Sequence, residues 1–586
     1  MHSNDLLKEK VLSILISAAN KMADDLANGL ETKSRIEYSR DEKFGDYSTP
    51  FALENKNLFK KPPLEIANIL KEYITKEKLS SEIFSELTVT PPGFINFRIS
   101  IEYNLRYINN FLMQDDLYAK VDNPKKIILE FVSANPTGPL NIVSARAASF
   151  GDALASVLTT LGHKVDREFY VNDYGNQVQL LGVACILRFK EWLGETIQFQ
   201  ESDDGRTISQ LIETNYFPAE SYRGEYIIDI VHSLVGKQEK VDWIKNLLKS
   251  KSYDELIEFF SLYAVQFNLG EQKEDLKTFG VNFDRFFSER SLHESDKVLG
   301  ALAAFEGSGD IINQEGKKLF LSTNYGDDKD RVVVRDDGRP TYLLADIAYH
   351  KDKMDRGYDE IIDIWGPDHH GYIARLSGAM ESMGYAKEKF RVIICQQVNL
   401  LEDGKKVKMS KRLGNFQRMR DLILYLGKNA KDVSRYFFAT RTAEAPLDFD
   451  LDLAQDESDK NPVFYLQYAH ARISSIFREV GEQWRSDIDS DFEWTEDRAR
   501  LLFWISRFHE EVYDAAISCE PHRITNYLQS LCRAFTRFYG NKQNRLKDYD
   551  NDTRLYLAYL CKASQIAIRE GLHLLGISAP NRLDRE

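Results

Sequence analysis

Apolar residues recur at helical spacing from the start of the chain. Leu7, Val11, Ile14, Leu15 and Ala18 share one face of a 3.6-residue period, which predicts an amphipathic helix. Further on, Thr88-Val89-Thr90-Pro91-Pro92-Gly93-Phe94-Ile95-Asn96-Phe97-Arg98 reads as strand, tight turn, strand. Asp122-Asn123-Pro124 then marks a boundary. From Lys125 to about residue 450 the pattern changes. Ile127-Ile128-Leu129, Val332-Val333-Val334, Ile361-Ile362-Asp363-Ile364-Trp365 and Val392-Ile393-Ile394 are short apolar runs set between helical patterns. Unbroken runs suit strands buried on both faces, so the alternation predicts a parallel sheet covered by helices. Residues 185–300 are mainly helical and charged and read as an insertion into that domain. From Asn461 onward the pattern is almost wholly helical, punctuated by Gly540, Asn541 and Pro580, which predicts a bundle. The expected class is α/β in three parts: an α+β domain over 1–118, the sheet domain over 119–455 and an all-α domain over 456–586.

Composition narrows the picture little. At 586 residues the chain is too long for a single core. A net charge of −14 argues against a nonspecific nucleic-acid coat, although local patches matter more than totals. Residues 521–547 hold Arg523, Arg533, Arg537, Lys542, Arg545 and Lys547 without an acidic residue, interleaved with Tyr527, Phe535, Phe538 and Tyr539. Such a stretch suits a phosphate backbone and stacked bases. It equally suits a core-facing aromatic stripe with a solvated basic edge, and the residues alone favour that second reading. The five cysteines are scattered without a CxxC pair, so neither a disulfide framework nor a zinc site is expected, and a reducing compartment fits. Lys8 and Lys10 before residues 11–16 have the outline of a signal peptide, but the apolar run is short and Asp24 and Asp25 follow. A cytoplasmic location and no membrane partner are expected, since no run is long enough to span a bilayer.

Candidate chemistry gathers at three places. After the first sheet-domain strand, Ser133 to Gly138 forms a polar loop, followed by a helix with Phe150, Leu154, Leu158 and Leu161 on one face and Gly162 as its stop. Strand, loop and helix start make a ready anion site, because free backbone N–H groups point there. There is no Walker loop and no GxGxxG turn, so shape alone supports a plain βαβ connection. Downstream, Lys405-Lys406-Val407-Lys408-Met409-Ser410-Lys411-Arg412 reads by itself as a solvated turn. Between them, Tyr342 and Asp346 stand i, i+4 on a helix, and His369-His370 follow a strand with no further Cys or His cluster to support a metal.

Taken together these runs resemble a known family. Ser133-Ala134-Asn135-Pro136-Thr137-Gly138-Pro139-Leu140 is similar to the arginyl members of the class I aminoacyl-tRNA synthetases. Lys408-Met409-Ser410-Lys411 resembles the class I mobile loop, and Gly366-Pro367-Asp368-His369-His370-Gly371 resembles the arginyl stretch at the end of a central strand. Phe44-Gly45-Asp46-Tyr47-Ser48-Thr49 and Pro92-Gly93-Phe94-Ile95-Asn96-Phe97 look like the arginyl-specific N-terminal domain, which contacts the tRNA elbow in that family. Asn461–Arg472 and Ile577–Arg582 look like the two ends of its anticodon-binding bundle. One departure stands out. Where the family carries a His-Ile-Gly-His-type signature, this chain reads Asn141-Ile142-Val143-Ser144.

The resemblance implies a Rossmann-like catalytic domain with a helical insertion, an α+β N-terminal domain and a C-terminal bundle. It implies that Glu130 and Asp346 grip the arginine guanidinium, with Tyr342 and His370 beside them and Ser133 and Asn135 on the α-amino group. A carboxylate fork suits that planar cation. It assigns ATP to Pro136, Thr137, Gly138, Asn141, Ser144, Gly366, Asp368, His369, Val407, Lys408, Met409 and Lys411. Lys408, Lys411, Ser410, Asn141 and Ser144 form the expected catalytic set, with Tyr465, Arg472, Arg533 and Arg537 on tRNA. ATP with magnesium as substrate, arginine and tRNA(Arg) are the expected partners of a monomer without a structural metal. The competing readings are a tRNA-binding paralogue that has lost adenylation, suggested by Asn141 and Ser144, and a class I synthetase for another amino acid. Lys408, Lys411, Glu130 and Asp346 argue against the first, and the carboxylates and N-terminal domain against the second.

Overall fold

Strand β1 (Lys126–Glu130) starts the sheet domain and is followed by α1 (Ile142–Thr160), β2 (Lys164–Val171) and α2 (Asn176–Trp192). After a stretch of shorter helices come α3 (Tyr253–Thr278), β3 (Arg285–Ser288), α4 (Tyr342–Asp355), β4 (Glu360–Trp365), β5 (Phe390–Ile394) and α5 (Met419–Leu426). The computed structural model describes residues 5–27, 31–39, 42–113, 117–407, 418–488 and 492–583. It divides into two units, one of Lys125–Ala155 and Lys164–Ala454, the other of Met1–Pro124, Ser156–His163 and Gln455–Glu586. No described helix is long and apolar enough to cross a membrane.

In the first unit the strands lie in the order β5-β4-β1-β2-β3, all parallel. The order turns at β1, so a crevice opens outside the carboxyl ends of β1 and β4, where sheets of this kind take ligands. Helix α1 packs closely on the chain leaving β1. A Cβ on Gly151 would stand 2.4 Å from the Phe131 ring, so only glycine lets the helix come this near.

Two strands differ from expectation. Val332–Val334 belongs to a separate three-stranded antiparallel sheet with Ile311–Gln314 and Lys317–Phe320. In its place the parallel sheet uses β2 and β3. Strand β2 carries Asp166, Arg167 and Glu168 in mid-run, which breaks the apolar signature, and β3 is four residues long inside the stretch read as helical.

Those charges follow from the register. Asp363 of β4 stands beside Glu130 of β1, and Glu130 beside Glu168 of β2. Neighbours in parallel register present their side chains to the same face. Helix α4 covers that row and brings cations at helical spacing. The Lys353 ammonium donates to Glu130 and, at 2.8 Å, to Asp363. Arg356, just past the helix, binds Glu168 through two bonds of 2.7 and 2.8 Å, and the Tyr349 hydroxyl adds a third at 2.7 Å.

The second unit holds an antiparallel sheet in the order Glu37–Tyr38, Tyr47–Thr49, Phe94–Ile99, Phe84–Thr90. The predicted helix Leu7–Ala27 buries Leu7, Val11, Ile14, Leu15 and Ala18 in the same core. It also holds a helical bundle of Pro462–Val480, Glu496–Ser506, Phe508–Ile517, His522–Gly540 and Asp552–Leu574. Glu510 of the bundle is buried and accepts the Tyr47 hydroxyl at 2.8 Å, the Tyr38 hydroxyl at 3.1 Å and the Lys8 N–H at 2.5 Å. Burial pushes its carboxyl up to about 7.

Replacing Lys353 by Met strands two buried carboxylates, and thermal unfolding should show a loss of ~3–5 kcal/mol. Adding Asp363→Asn to that variant should recover part of it. Glu510 binds a proton more tightly when folded, so wild-type stability should fall as pH rises from 4.5 to about 7. Glu510→Gln should remove that slope in denaturant titrations run across the window.

Candidate active site

A cavity of about 480 Å³ opens at the crevice outside β1 and β4. Glu130, Ser133, Asn135, Tyr342 and Asp346 all line it, as do Gly366 and His369. His370 and Asp368 are exposed and outside that lining. Tyr342 and Asp346 sit on the first turns of α4, and Tyr342 stands 62% exposed at the rim.

The charges of this cavity fall into two sets. Glu130 accepts from Lys353 and, at 2.7 Å, from the Ser133 hydroxyl. Burial works against the Lys353 ammonium, but Asp363 and Glu130 outweigh it and its pKa rises. Asp363 is held low chiefly by Lys353 and His350, which overcome its burial. His350 Nε2 lies 2.7 Å from Asp363 Oδ2 and Nδ1 lies 2.8 Å from the Asp346 carbonyl oxygen. Glu130 and Asp363 thus share the Lys353 ammonium, and His350 completes the floor beside Asp363. Glu130, His350 and Asp363 also have atoms spaced as metal ligands, but the Lys353 ammonium already bridges the two carboxylates.

The second set has no such cation. Glu289, just beyond β3, is buried, and its carboxyl is pushed up to about 7, first by burial and then by the charge of Asp346. Burial raises the Asp346 carboxyl too, opposed by the Tyr372 hydroxyl that it accepts at 2.6 Å. His293 lies 3.7 Å from Glu289, but burial lowers its pKa, so it supplies little positive charge. Glu289, buried, and Asp346, half-buried, therefore face one cavity, and among the described residues neither is ion-paired to a Lys or Arg. Sequence reasoning missed Glu289, since it follows a four-residue strand with no motif. His350 and Lys353 were readable in principle, because they continue the helical face of Tyr342 and Asp346.

The loop after β1 is strained and braced. Val132 has φ +69° and Ser133 φ +40°, a region that a β-branched residue rarely enters. Four successive carbonyls are held by the insertion: Asn135 and Gly138 by Gln272, Pro136 by Asn268 and Thr137 by Tyr226. The Thr137 and Gly138 N–H groups make no hydrogen bond among the described residues. A loop fixed through its carbonyls with its N–H groups free is built for an anion. Asn141 immediately precedes α1, and its Oδ1 accepts the Ser144 N–H at 2.8 Å and the Ser144 hydroxyl at 3.1 Å. Val407 N–H donates to Leu400 at 2.9 Å. Lys408, Met409, Ser410 and Lys411 lie outside the described residues.

In the bundle, the 521–547 stretch is mainly core: Tyr527, Phe535 and Phe538 are buried. Arg537 is engaged by Glu496 and Asp497, Arg533 bonds Gln529, and the Tyr465 hydroxyl meets Thr536. Arg472 stacks over Tyr539 beside a cavity of about 420 Å³ that Tyr468, Arg545 and Lys547 also line.

Three family models match consecutive stretches. Residues 6–99 match "Arginyl tRNA synthetase N terminal domain", 107–435 "tRNA synthetases class I (R), catalytic domain" and 466–583 "DALR anticodon binding domain". The arginine–tRNA ligase of Leptospira interrogans is 58% identical over the whole of both chains, and that of Bacillus subtilis is 40% identical over 99% of each. The solved arginyl-tRNA synthetase of Thermus thermophilus has a TM-score of 0.76, covering 99% of this chain and all of its own, and at 21% identity it speaks for the fold. Across its whole length the chain therefore belongs to the arginyl-tRNA synthetases, the arginine–tRNA ligases of class I.

Proposed function

We propose that the 480 Å³ cavity holds arginine with its guanidinium between Glu289 and Asp346. The observation that carries this is the pair of carboxyls, Glu289 and Asp346, that line one cavity, are both raised by burial, and are ion-paired to no Lys or Arg among the described residues. A planar guanidinium can satisfy both through parallel hydrogen bonds, which a single ammonium cannot. Glu130, already balanced by Lys353, adds an acceptor to the floor without adding net charge. Tyr342 closes the rim, and Asn135 Oδ1 with Ser133 Oγ receives the α-amino group.

ATP, with magnesium as its companion, lies along the 135–144 loop, its phosphates on the free Thr137 and Gly138 N–H groups. The arginine carboxylate oxygen attacks the α-phosphorus. The bond to the bridging oxygen breaks, and pyrophosphate leaves with the electron pair. The terminal ribose hydroxyl of tRNA(Arg) then attacks the adenylate carbonyl, transferring arginine and releasing AMP. The protein contributes position and charge and forms no covalent intermediate. Residues 1–118 and the bundle hold the tRNA, with Arg472 and Tyr539 offering a stacking surface to a base. The enzyme acts as a cytoplasmic monomer.

Arginine-dependent ATP–pyrophosphate exchange, measured with tRNA present, tests the reading directly, and no exchange with any amino acid would sink it. In that assay Asp346→Asn and Glu289→Gln should each raise KM for arginine by at least ~30-fold while KM for ATP stays near wild type. Equal losses for both substrates would remove these residues from arginine recognition. Because Glu289 takes up a proton near pH 7, KM for arginine should climb as pH falls below about 7, and Glu289→Gln should flatten that profile.

A further inference from the structure

We propose that Arg418, with the Asn141 carboxamide beside it, is the fixed cation that holds the ATP phosphates in this chain. It does the work that the family resemblance gives to two imidazoles, whose places are taken here by Asn141 and Ser144. The inference rests on the adenylation reading above.

The geometry starts with the backbone. Asn141 and Arg418 form an isolated antiparallel bridge. Beside it, the Met419 N–H donates to the Leu140 carbonyl at 2.8 Å. That bond runs between the residues flanking the pair, so Asn141 and Arg418 are a non-hydrogen-bonded pair. In such a pair the two side chains stand on one face and approach most closely. The Arg418 side chain thereby leaves the backbone on the same face as that of Asn141, which stands three residues after Gly138 in the chain.

The chemistry at the same place points the same way. Ser144 gives both its N–H and its hydroxyl proton to Asn141 Oδ1. The Ser144 hydroxyl is thus turned inward, while no described residue accepts from Asn141 Nδ2. Asn141 alone offers one neutral donor where the signature offers two imidazoles. Arg418 is the N-cap residue of α5, with φ −100° and ψ 146°. An arginine is a poor choice there. Ser, Thr, Asp and Asn cap helices, and a cation at a helix start opposes the dipole. Asp421 relieves this by accepting the Arg418 N–H at 3.1 Å, but it stands 3.9 Å from the guanidinium Nε. Among the described residues the rest of the guanidinium fork has no partner. A residue that costs local stability and keeps its donors unspent is placed for a ligand. A guanidinium matches a phosphate bidentately and stays charged at every working pH.

The test compares Arg418→Thr, Arg418→Lys and the paired Asn141→His/Ser144→His change, alone and combined, in the full-length enzyme with tRNA. Arg418→Thr should slow arginine-dependent exchange by ~10²-fold and leave KM for arginine unchanged. It should not lower the thermal midpoint, because threonine is the better cap. Arg418→Lys should keep an intermediate rate. The paired histidines should restore a larger share of the lost rate in the Arg418→Thr background than they add to the enzyme that keeps Arg418. At saturating arginine, where the Glu289 effect on KM drops out, the rescued enzyme should also gain a pH dependence of its exchange rate near the imidazole range, ~6–7, that the wild type lacks. Wild-type exchange in Arg418→Thr would overturn the proposal. So would a histidine gain of equal size in both backgrounds, or a loss that tracks unfolding. An inactive wild type would instead overturn the adenylation reading, before any variant is compared.

Discussion

Three carboxylates stand in register across β4, β1 and β2, at Asp363, Glu130 and Glu168, and burying them obliges the fold to bring cations of its own. Helix α4 and the residue after it answer with His350, Lys353 and Arg356. Leaving one such charge unpaired would cost several kcal/mol, a large share of a domain's net stability. The pairing therefore sets how α4 lies on the sheet. Once Lys353 is anchored on Glu130 and Asp363, helical spacing places Asp346 and Tyr342 two and three turns earlier, over the crevice. The acid row contributes no net charge to the ligand. It aligns the helix that does.

This also explains what could be read from the chain beforehand. The buried strands β1 and β4 and the edge strand β5 announced themselves as apolar runs, and Tyr342 and Asp346 as a helical pair. Strand β2 stayed hidden because it contributes Glu168 to the acid row, so its mid-run charges mimic a surface segment. Val332–Val334 looked like a sheet strand because three valines pack equally well in a small antiparallel sheet. The guanidinium fork showed the same limit. Glu130 was conspicuous in sequence, beside the loop that resembles the family, yet the fold gives it a lysine. Glu289 lacked any motif and became visible through its burial at the cavity beside Asp346. Spacing reveals which residues share a face, and register across strands reveals which charges are already satisfied.

Two kinds of rigidity meet at the crevice. The cavity floor is held by ion pairs whose partners come from strand and helix. The loop that leaves β1 starts with Val132 and Ser133 held at positive φ, a conformation that costs of order 1–3 kcal/mol per residue. Gln272, Asn268 and Tyr226 hold that loop through its carbonyls. On the proposed reading the insertion thus shapes the nucleotide site without touching the phosphates: two amides and a phenol fix which way the peptide planes face.

A paired floor also bears on selectivity. Were Glu130 and Asp363 free, any small cation could enter and be held by whichever carboxylate it reached first. With Lys353 and His350 in place, the remaining demand is one positive charge shared by two carboxylates at separate positions. Ornithine or lysine brings a point charge that can satisfy one and must leave the other buried beside it. A neutral isostere of arginine keeps the shape but leaves both carboxylates repelling each other. An unpaired buried acceptor costs more than one extra hydrogen bond elsewhere returns. In the proposed arrangement discrimination comes from what the wrong ligand fails to neutralise, and it is strong to the degree that the floor cannot rearrange to help.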